Sequence, residues 1–166
     1  TLPNLILSTG IVSSVASVPV YSSATLTSNM AHPVDITGDL TVLTGGAITH
    51  TANSSARSYI LDLKVGGTFD LQTGSTVTVD MAGYTAGYGP GAGLSSVAAA
   101  TGGSGAGYGG HGGAGGPGTK PGGQPYGVVS GVTDLGSGGG AGIAAAGGPG
   151  GGEIHITAGS LALNGL

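Results

Sequence analysis

The fold is decided by the ten-residue stretch LTVLTGGAIT (Leu40–Thr49) and by its second copy FDLQTGSTVT (Phe69–Thr78), which begins 29 residues later. Each copy is a strand-like run, a short turn that contains glycine, and a second strand-like run. A weaker third copy, LALNGL, occupies Leu161–Leu166. A further short strand-like run precedes each copy, at residues 34–36, 61–65 and 154–156. Repeats of this size predict layers that bury their apolar side chains by stacking on one another.

Apolar and polar residues alternate with period two in five segments: Val34–Val42, Tyr59–Val65, Thr68–Leu71, Thr76–Met81 and Glu153–Ile156. This alternation predicts half-buried strands, and no stretch has the apolar spacing of a helix. We therefore expect an all-β fold, a right-handed parallel β-helix (β-solenoid) with three short strands per coil. Glycine or asparagine would occupy corners that need a positive φ. The alternative is a β-sandwich with hairpins at Gly45-Gly46 and Gly74-Ser75.

Glycine divides the chain into regions, since residues 83–152 hold 30 of its 39 glycines. We expect four parts: N-terminal strands or a cap at 1–33, β-helix coils at 34–82, a glycine-rich insertion at 83–152, and a returning coil at 153–166. The chain begins at Thr1 without an initiator methionine and ends inside a strand-like motif. These ends predict a processed or truncated piece of a longer protein.

The glycine-rich insertion has two interpretations, a flexible linker or extended polyglycine-type strands laid against one another or onto the β-helix. Ordered structure is favoured by proline, which presets an extended φ, and by tyrosine, a large amphipathic contact residue. The insertion contains the prolines Pro90, Pro117, Pro121, Pro125 and Pro149, and the tyrosines Tyr84, Tyr88, Tyr108 and Tyr126. We predict an ordered insertion in which these four tyrosines make packing or assembly contacts.

Charge is scarce, at 6% of residues against about 25% in ordinary soluble domains. So weakly charged a surface repels its neighbours poorly and suits a protein that is stacked or polymerised. The only permanent cations, Arg57, Lys64 and Lys120, are too few to neutralise a phosphate backbone, which excludes nucleic acid as a partner. No apolar run reaches the roughly 18–20 residues that span a bilayer. The chain has no cysteine and hence no disulfides.

Residues that could carry chemistry are scattered. Glycoside cleavage needs two placed carboxylates, and the seven acids form no obvious stacked pair: Asp35, Asp39, Asp62, Asp70, Asp80, Asp134 and Glu153. The histidines His32, His50, His111 and His155 are isolated, so we expect them to face solvent or lie in loops rather than bind zinc. We predict no catalytic, cofactor-binding or metal-binding residues, no cofactor, and no enzymatic activity.

The order of motifs in the second half of the chain resembles a known class of protein. Gly107–Gly113 (GYGGHGG) is followed by Leu135–Gly140 (LGSGGG), Gly147–Ala158 (GGPGGGEIHITA) and Leu161–Gly165 (LALNG). This order is similar to the glycine-rich parallel β-helix modules of large secreted and cell-surface, adhesin-like proteins. The resemblance covers residues 60–166. It implies an extracellular scaffold and supplies no catalytic residues.

These observations lead to one main functional hypothesis and two alternatives. We expect a non-enzymatic extracellular structural or adhesive protein that associates with itself into a fibre, sheath or surface layer. Its partner would be its own kind, with surface glycans as a second class. The first alternative is a carbohydrate-binding or polysaccharide-cleaving β-helix. The second is ice binding, suggested by the threonine pairs Thr49/Thr51 and Thr76/Thr78.

Overall fold

The computed structural model describes residues 5–8, 14–97, 102–116, 120–128 and 130–164. The chain folds into two compact units. The first contains Thr1–Thr51, Ser58–Thr78 and Ile154–Leu166, and the second contains Ala52–Arg57 and Val79–Glu153. The described residues form ten β-strands, all of them in the first unit, and no helix. The described part of the chain is therefore β-rich.

The strands are mostly short. They are β1 (Leu5–Ser8), β2 (Ser14–Val15), β3 (Val18–Val20), β4 (Thr25–Asn29), β5 (Val34–Ile36), β6 (Leu40–Val42), β7 (Ala47–His50), β8 (Leu61–Leu71), β9 (Thr76–Val77) and β10 (Ile154–Leu163). Alternate residues are buried, as in β4, where Leu26 and Ser28 point inward and Thr25, Thr27 and Asn29 are half-buried. The period-two pattern of the sequence therefore separates an inner from an outer face.

The strands form two sheets in which every strand pair is parallel. The four-stranded sheet has the order β1-β4-β7-β9. The six-stranded sheet has the order β2-β5-β8-β6-β3, with β10 paired to the other edge of β8. Strands β5 and β6 pair with the first and second halves of β8. The core is made of their inward residues, including Leu26, Ile36, Leu40, Ile48, Leu61 and Leu63.

The repeat in the sequence is confirmed by the strand register. Leu40 pairs with Phe69, and Ala47 pairs with Thr76, which are the partners that the two copies predict. Leu161 of the third copy also pairs with Phe69, while the last two residues of that copy lie outside the described range. Equivalent residues thus form columns across the strands, for example Val18, Leu40, Phe69 and Leu161.

The prediction of a three-stranded β-helix is nevertheless wrong. The strands lie in two separate, unclosed sheets instead of coils with three short strands each. We expected Gly66-Gly67 to separate two strands, but both glycines lie inside the eleven-residue β8. They are there for close approach: a Cβ at Gly66 would lie 2.5 Å from Thr37 O, and one at Gly67 would lie 2.2 Å from Asp39 Oδ1.

The alternative β-sandwich with hairpins is also wrong. The turns at Gly45-Gly46 and Gly74-Ser75 each carry the chain from the six-stranded sheet to the four-stranded sheet. A hairpin would instead join neighbouring antiparallel strands. Gly45 and Gly74 have φ of 78° and 79°, a left-handed conformation that glycine adopts without steric cost. The prediction of glycine at positive-φ turns is confirmed at these two positions.

The second unit, which we call the glycine bundle, is held together by main-chain hydrogen bonds that recur every third residue. In one antiparallel pair of segments, Gly136 N–H donates to Gly151 O, Gly139 N–H to Gly148 O, and Gly142 N–H to Ala145 O, each at 2.9 Å. A three-residue repeat is that of an extended polyproline-II-type helix, whereas a β-strand repeats every two. The described part of residues 79–153 contains no named strand.

Each segment of the glycine bundle bonds to several others. Residues 136–142 bond to 145–151, to 93–96 through Gly93 and Ser96, and to Tyr84 and Tyr88. A strand in a sheet has at most two hydrogen-bonded neighbours, so this arrangement is a bundle and not a sheet. The second interpretation of the glycine tract, extended segments laid against one another, is the one that the structure has.

Glycine is needed in the bundle where segments touch. A Cβ at Gly150 would lie 1.8 Å from Gly136 O, and one at Gly147 would lie 2.1 Å from Gly139 O. Gly148 and Gly151 have nothing within 4 Å of an added Cβ. Collagen uses glycine at every third position for the same reason, because no side chain fits at its crowded axis.

Candidate functional site

The outermost strand of the six-stranded sheet, β10, carries exposed apolar side chains. Leu161 and Leu163 are each 60% exposed and Ile154 is 38% exposed. Their register partners on β8, Phe69, Leu71 and Leu61, include two buried core residues, Leu61 and Phe69. The core columns therefore continue onto β10, and no other strand of the described residues covers them there.

The backbone of β10 is also available on one side. In the described chain β10 pairs with β8 alone, and Asn164 N–H donates to Leu71 O at 2.8 Å. Since alternate residues of a parallel strand bond to opposite sides, the main-chain groups of Leu163 and Leu161 face away from β8. An edge of this kind is a template for another strand, and β10 has no proline or permanently charged residue to prevent it.

The opposite edge of the six-stranded sheet is different. Val18 N–H donates to Asp39 O and Val20 O accepts from Leu43 N–H, both at 2.9 Å. The residue between them, Pro19, therefore faces outward, where its missing N–H removes one donor from the edge. Near this edge lies a cavity of about 180 Å³, lined by apolar side chains with one serine: Leu5, Ile6, Leu7, Ser8, Val15, Val18, Met30 and Val34.

Three of the four tyrosines singled out in the sequence meet in the glycine bundle, around residues 134–137. The rings of Tyr108 and Tyr126 are 4.8 Å apart at 70°, an edge-to-face pair. Tyr84 donates to Asp134 Oδ1 at 3.1 Å, and Tyr108 donates to Asp134 O at 3.4 Å. Tyr126 donates to Leu135 O and accepts from Ser137 Oγ. These contacts lie within the bundle, while Tyr88 is 52% exposed.

Burial and charge disfavour ionisation of two of these tyrosines. Burial raises the pKa of Tyr84 to about 12, and the hydrogen bond to Asp134 and the charge of that carboxylate act in the same direction. Burial also raises the pKa of Tyr126, partly opposed by its hydrogen bond to Ser137. Both phenols therefore stay protonated at neutral pH and act as hydrogen-bond donors, not as bases.

Several carboxylates of the described residues take part in structural contacts. Glu153 is buried and forms an ion pair with Arg57 at 2.8 Å. Asp62 lies 3.0 Å from His155 Nδ1, and Asp39 Oδ1 accepts from Thr68 N–H at 2.7 Å. No three acidic or histidine side chains in the described ranges lie close enough to hold a metal ion.

One histidine differs from expectation. His50 is buried on the inward face of β7, with Nδ1 2.8 Å from Thr51 O, so its predicted place in a loop or facing solvent is wrong. His32, His111 and His155 are exposed as expected. The Arg57–Glu153 and His155–Asp62 pairs could not be found from the sequence, because the partners are 96 and 93 residues apart.

The described residues contain no helix long and apolar enough to cross a membrane. No family model, curated protein or solved structure matches the chain. The class of protein is therefore defined by its own architecture: an all-β chain with parallel strands in two sheets, and a hydrogen-bonded bundle of glycine-rich segments.

Proposed function

We propose that the chain is a non-enzymatic extracellular structural or adhesive protein that assembles by stacking β layers from successive copies. The observation that carries this proposal is the exposure of the apolar residues on β10, at the end of the core columns. Leu161 and Leu163 are mostly exposed, although the residues that precede Leu161 in its column are buried. The extracellular location is supported by the resemblance of the motif order to secreted and cell-surface proteins.

We call β1, β2 and β3 the first layer of the chain. In the assembly, the first layer of a second copy pairs with the edge of β10. The strand register runs without interruption from this layer to the last one: Val18 leads to Leu161, and Leu5 leads through Leu26 and Ile48 to Val77. A second copy in the same orientation would extend both sheets at once. Its exposed Leu5 and Ile6 and its apolar cavity provide the matching surface.

Energy and symmetry agree with this assembly. Fully burying a leucine contributes roughly 1.5–3 kcal/mol, and neither β10 nor the strands β1 to β3 carry a lysine, arginine, aspartate or glutamate that would have to be desolvated. A head-to-tail contact uses different surfaces on the two partners, so each added copy presents a new open edge. The result is a fibre with no fixed number of subunits.

The test compares the native chain with the double variant Leu161→Asp/Leu163→Asp by sedimentation velocity and negative-stain electron microscopy over a range of concentrations. We expect fibres from the native chain and monomers from the variant. The matched control is Thr157→Asp, which places a carboxylate on the opposite face of β10 beside Lys64. Far-ultraviolet circular dichroism confirms that all three are folded. A native chain that stays monomeric throughout would refute the proposal, as would fibres from the double variant.

A further inference from the structure

Three strands of the four-stranded sheet, β4, β7 and β9, carry a regular array of threonine on their outer face. Its outward positions alternate with the buried Leu26, Ser28, Ile48 and His50. On β1 the outward positions are Ile6 and Ser8. On and just beyond β4, β7 and β9, six of the eight outward residues are threonine, and these eight form what we call the threonine face: Thr25, Thr27, Asn29, Ala47, Thr49, Thr51, Thr76 and Thr78. Thr51 and Thr78 lie just beyond their strands, but each still donates its N–H to the neighbouring strand, at Ser28 O and Ile48 O.

The positions on this face are fixed by the strand register. Thr27 pairs with Thr49, and Ala47 lies between Thr25 and Thr76 in one column. Thr51 Oγ1 donates to Asn29 Oδ1, which joins two strands across the surface. Parallel strands are about 4.8 Å apart, and alternate residues along one strand are about 6.6 Å apart. The threonine side chains therefore lie on a two-dimensional grid with these two spacings.

The threonine face carries no charged residue, whereas the outer face of the six-stranded sheet does. Asp35 and Lys64 are paired neighbours there, Asp70 lies beside Thr41, and Asp62 contacts His155. The two faces belong to the same unit and have the same strand geometry. Threonine occurs on both faces, as good strand composition favours, but the charged residues lie only on the outer face of the six-stranded sheet. This difference points to a separate role for the uncharged face.

We propose that the threonine face binds ice. Ice is a neutral lattice whose rows of oxygen atoms repeat at distances close to the strand spacing of this sheet. Each threonine carries a hydroxyl group, which can still accept a hydrogen bond where its proton is donated to a protein oxygen, as at Thr49 and Thr51. Each also carries a methyl group beside which water orders without being held by charge. β-Branched side chains have few χ1 rotamers, so the grid is ordered before it meets the lattice. A sugar lattice would call for aromatic stacking, and the face contains no aromatic residue.

The test measures thermal hysteresis and the shape of growing ice crystals in solutions of the whole chain. We expect a measurable freezing-point gap and faceted crystals from the native protein. Thr49→Tyr, at the centre of the face, should abolish both, because a protruding ring holds the lattice away while tyrosine remains a good strand residue. Thr41→Tyr is the matched control, at an outward position of the six-stranded sheet, and should leave the hysteresis unchanged.

Two outcomes would overturn this inference: no hysteresis from the native chain, or equal loss in Thr49→Tyr and Thr41→Tyr. Ice binding does not depend on the proposed assembly. The monomeric variant Leu161→Asp/Leu163→Asp therefore separates the two, because it should lose fibres and keep the hysteresis. Loss of hysteresis in that variant would show that a single copy does not bind ice, which would refute the inference as stated.

Discussion

Arg57 and Glu153, 96 residues apart in the sequence, form a two-pronged ion pair in the glycine bundle. Arg57 Nη2–H and Nε–H donate to Glu153 Oε2 at 2.8 and 3.0 Å, and Nη2–H also reaches Oε1 at 3.1 Å. The carboxylate is almost completely buried, while a third of the arginine side chain is exposed. The pair therefore links the two chain segments that make up the bundle, Ala52–Arg57 and Val79–Glu153.

Removing only the cation should be costly. Arg57→Met leaves the Glu153 carboxylate buried without its guanidinium, so we expect the free energy of unfolding of the bundle to fall by about 3 kcal/mol. Arg57→Lys keeps the charge but loses the planar fork. Its free energy of unfolding should lie between those of the native chain and Arg57→Met. The double variant Arg57→Met/Glu153→Leu should recover most of the loss. Chemical denaturation of the native chain, Arg57→Met, Glu153→Leu and the double variant measures this coupling, and additive single-variant effects would contradict it.

Glycine tolerance should alternate sharply between neighbouring positions. Gly150→Ala places a methyl group 1.8 Å from Gly136 O, whereas Gly151→Ala places one in open space. We expect the first to lower the melting temperature of the bundle by several degrees, because two main chains must separate. The second should leave it unchanged or raise it slightly, since alanine reduces the entropy of the unfolded chain. Scanning calorimetry decides, and equal effects at the two positions would show that the close contact is absent.

Alkaline pH should weaken the bundle through Tyr84. Its pKa is raised from 10.0 to about 12 in the folded chain, so the folded state holds the phenolic proton more tightly than the unfolded state does. The stabilisation is fully present below pH 10 and is lost as pH rises towards 12. Tyr84→Phe cannot ionise and should show a flatter decline over this range.

The measurement is the free energy of unfolding at several pH values, together with the ultraviolet absorbance of tyrosinate. Tyr88→Phe is the control, because Tyr88 is exposed and its removal should leave the alkaline decline in place. A native chain whose stability is flat between pH 10 and 12 would contradict the role of Tyr84.

The proline on the first-layer edge should limit assembly. Pro19→Thr restores an outward-facing N–H without disturbing the bonds that Val18 and Val20 make to the neighbouring segment. We expect fibres to form at a lower protein concentration, as measured by light scattering. Pro33→Thr is the control, at an exposed position outside the strands. If Pro19→Thr forms fibres no more readily than Pro33→Thr, β3 does not receive the second copy.

The register of the repeated strands was predictable from the sequence because it depends on local information, whereas the predicted strand Thr76–Met81 is formed only at Thr76–Val77. Alternation separates inner from outer residues along each strand, and the second copy of the repeat identifies Leu40 and Phe69 as equivalent. The turn glycines were predictable for the same reason, since a tight turn with positive φ leaves glycine as the natural residue.

The sheet architecture was not predictable, because glycine has two uses that look alike in a sequence. Gly45 turns the chain at φ 78°, whereas Gly66 and Gly67 continue a strand past a close neighbour. Only the neighbouring backbone distinguishes a turn from a close approach. The prediction for His50 failed for a related reason. The carbonyl oxygen of Thr51, which lies within hydrogen-bond distance of His50 Nδ1, can be identified as its partner only in the folded chain.

The candidate surfaces were likewise predictable only in part, where local sequence was enough to identify them. Threonine pairs were visible in the sequence at Thr49/Thr51 and Thr76/Thr78, but their third row, Thr25 and Thr27, was not recognised as part of one face. The exposed column on β10 could not be seen either. Leu161 and Leu163 look like any other strand residues, and only the absence of a described strand beyond them makes them a surface.

The three-residue hydrogen-bond repeat of the glycine bundle has a consequence for how such a sequence can change over generations. The bonds that hold the bundle join main-chain atoms, so they make no demand on side-chain identity except where a neighbour leaves no room. Positions such as Gly148 and Gly151 can therefore accept a side chain while the main-chain hydrogen bonds of the bundle stay intact. A bundle of this kind separates its framework from its surface chemistry, and lineages can diversify the latter without rebuilding the former.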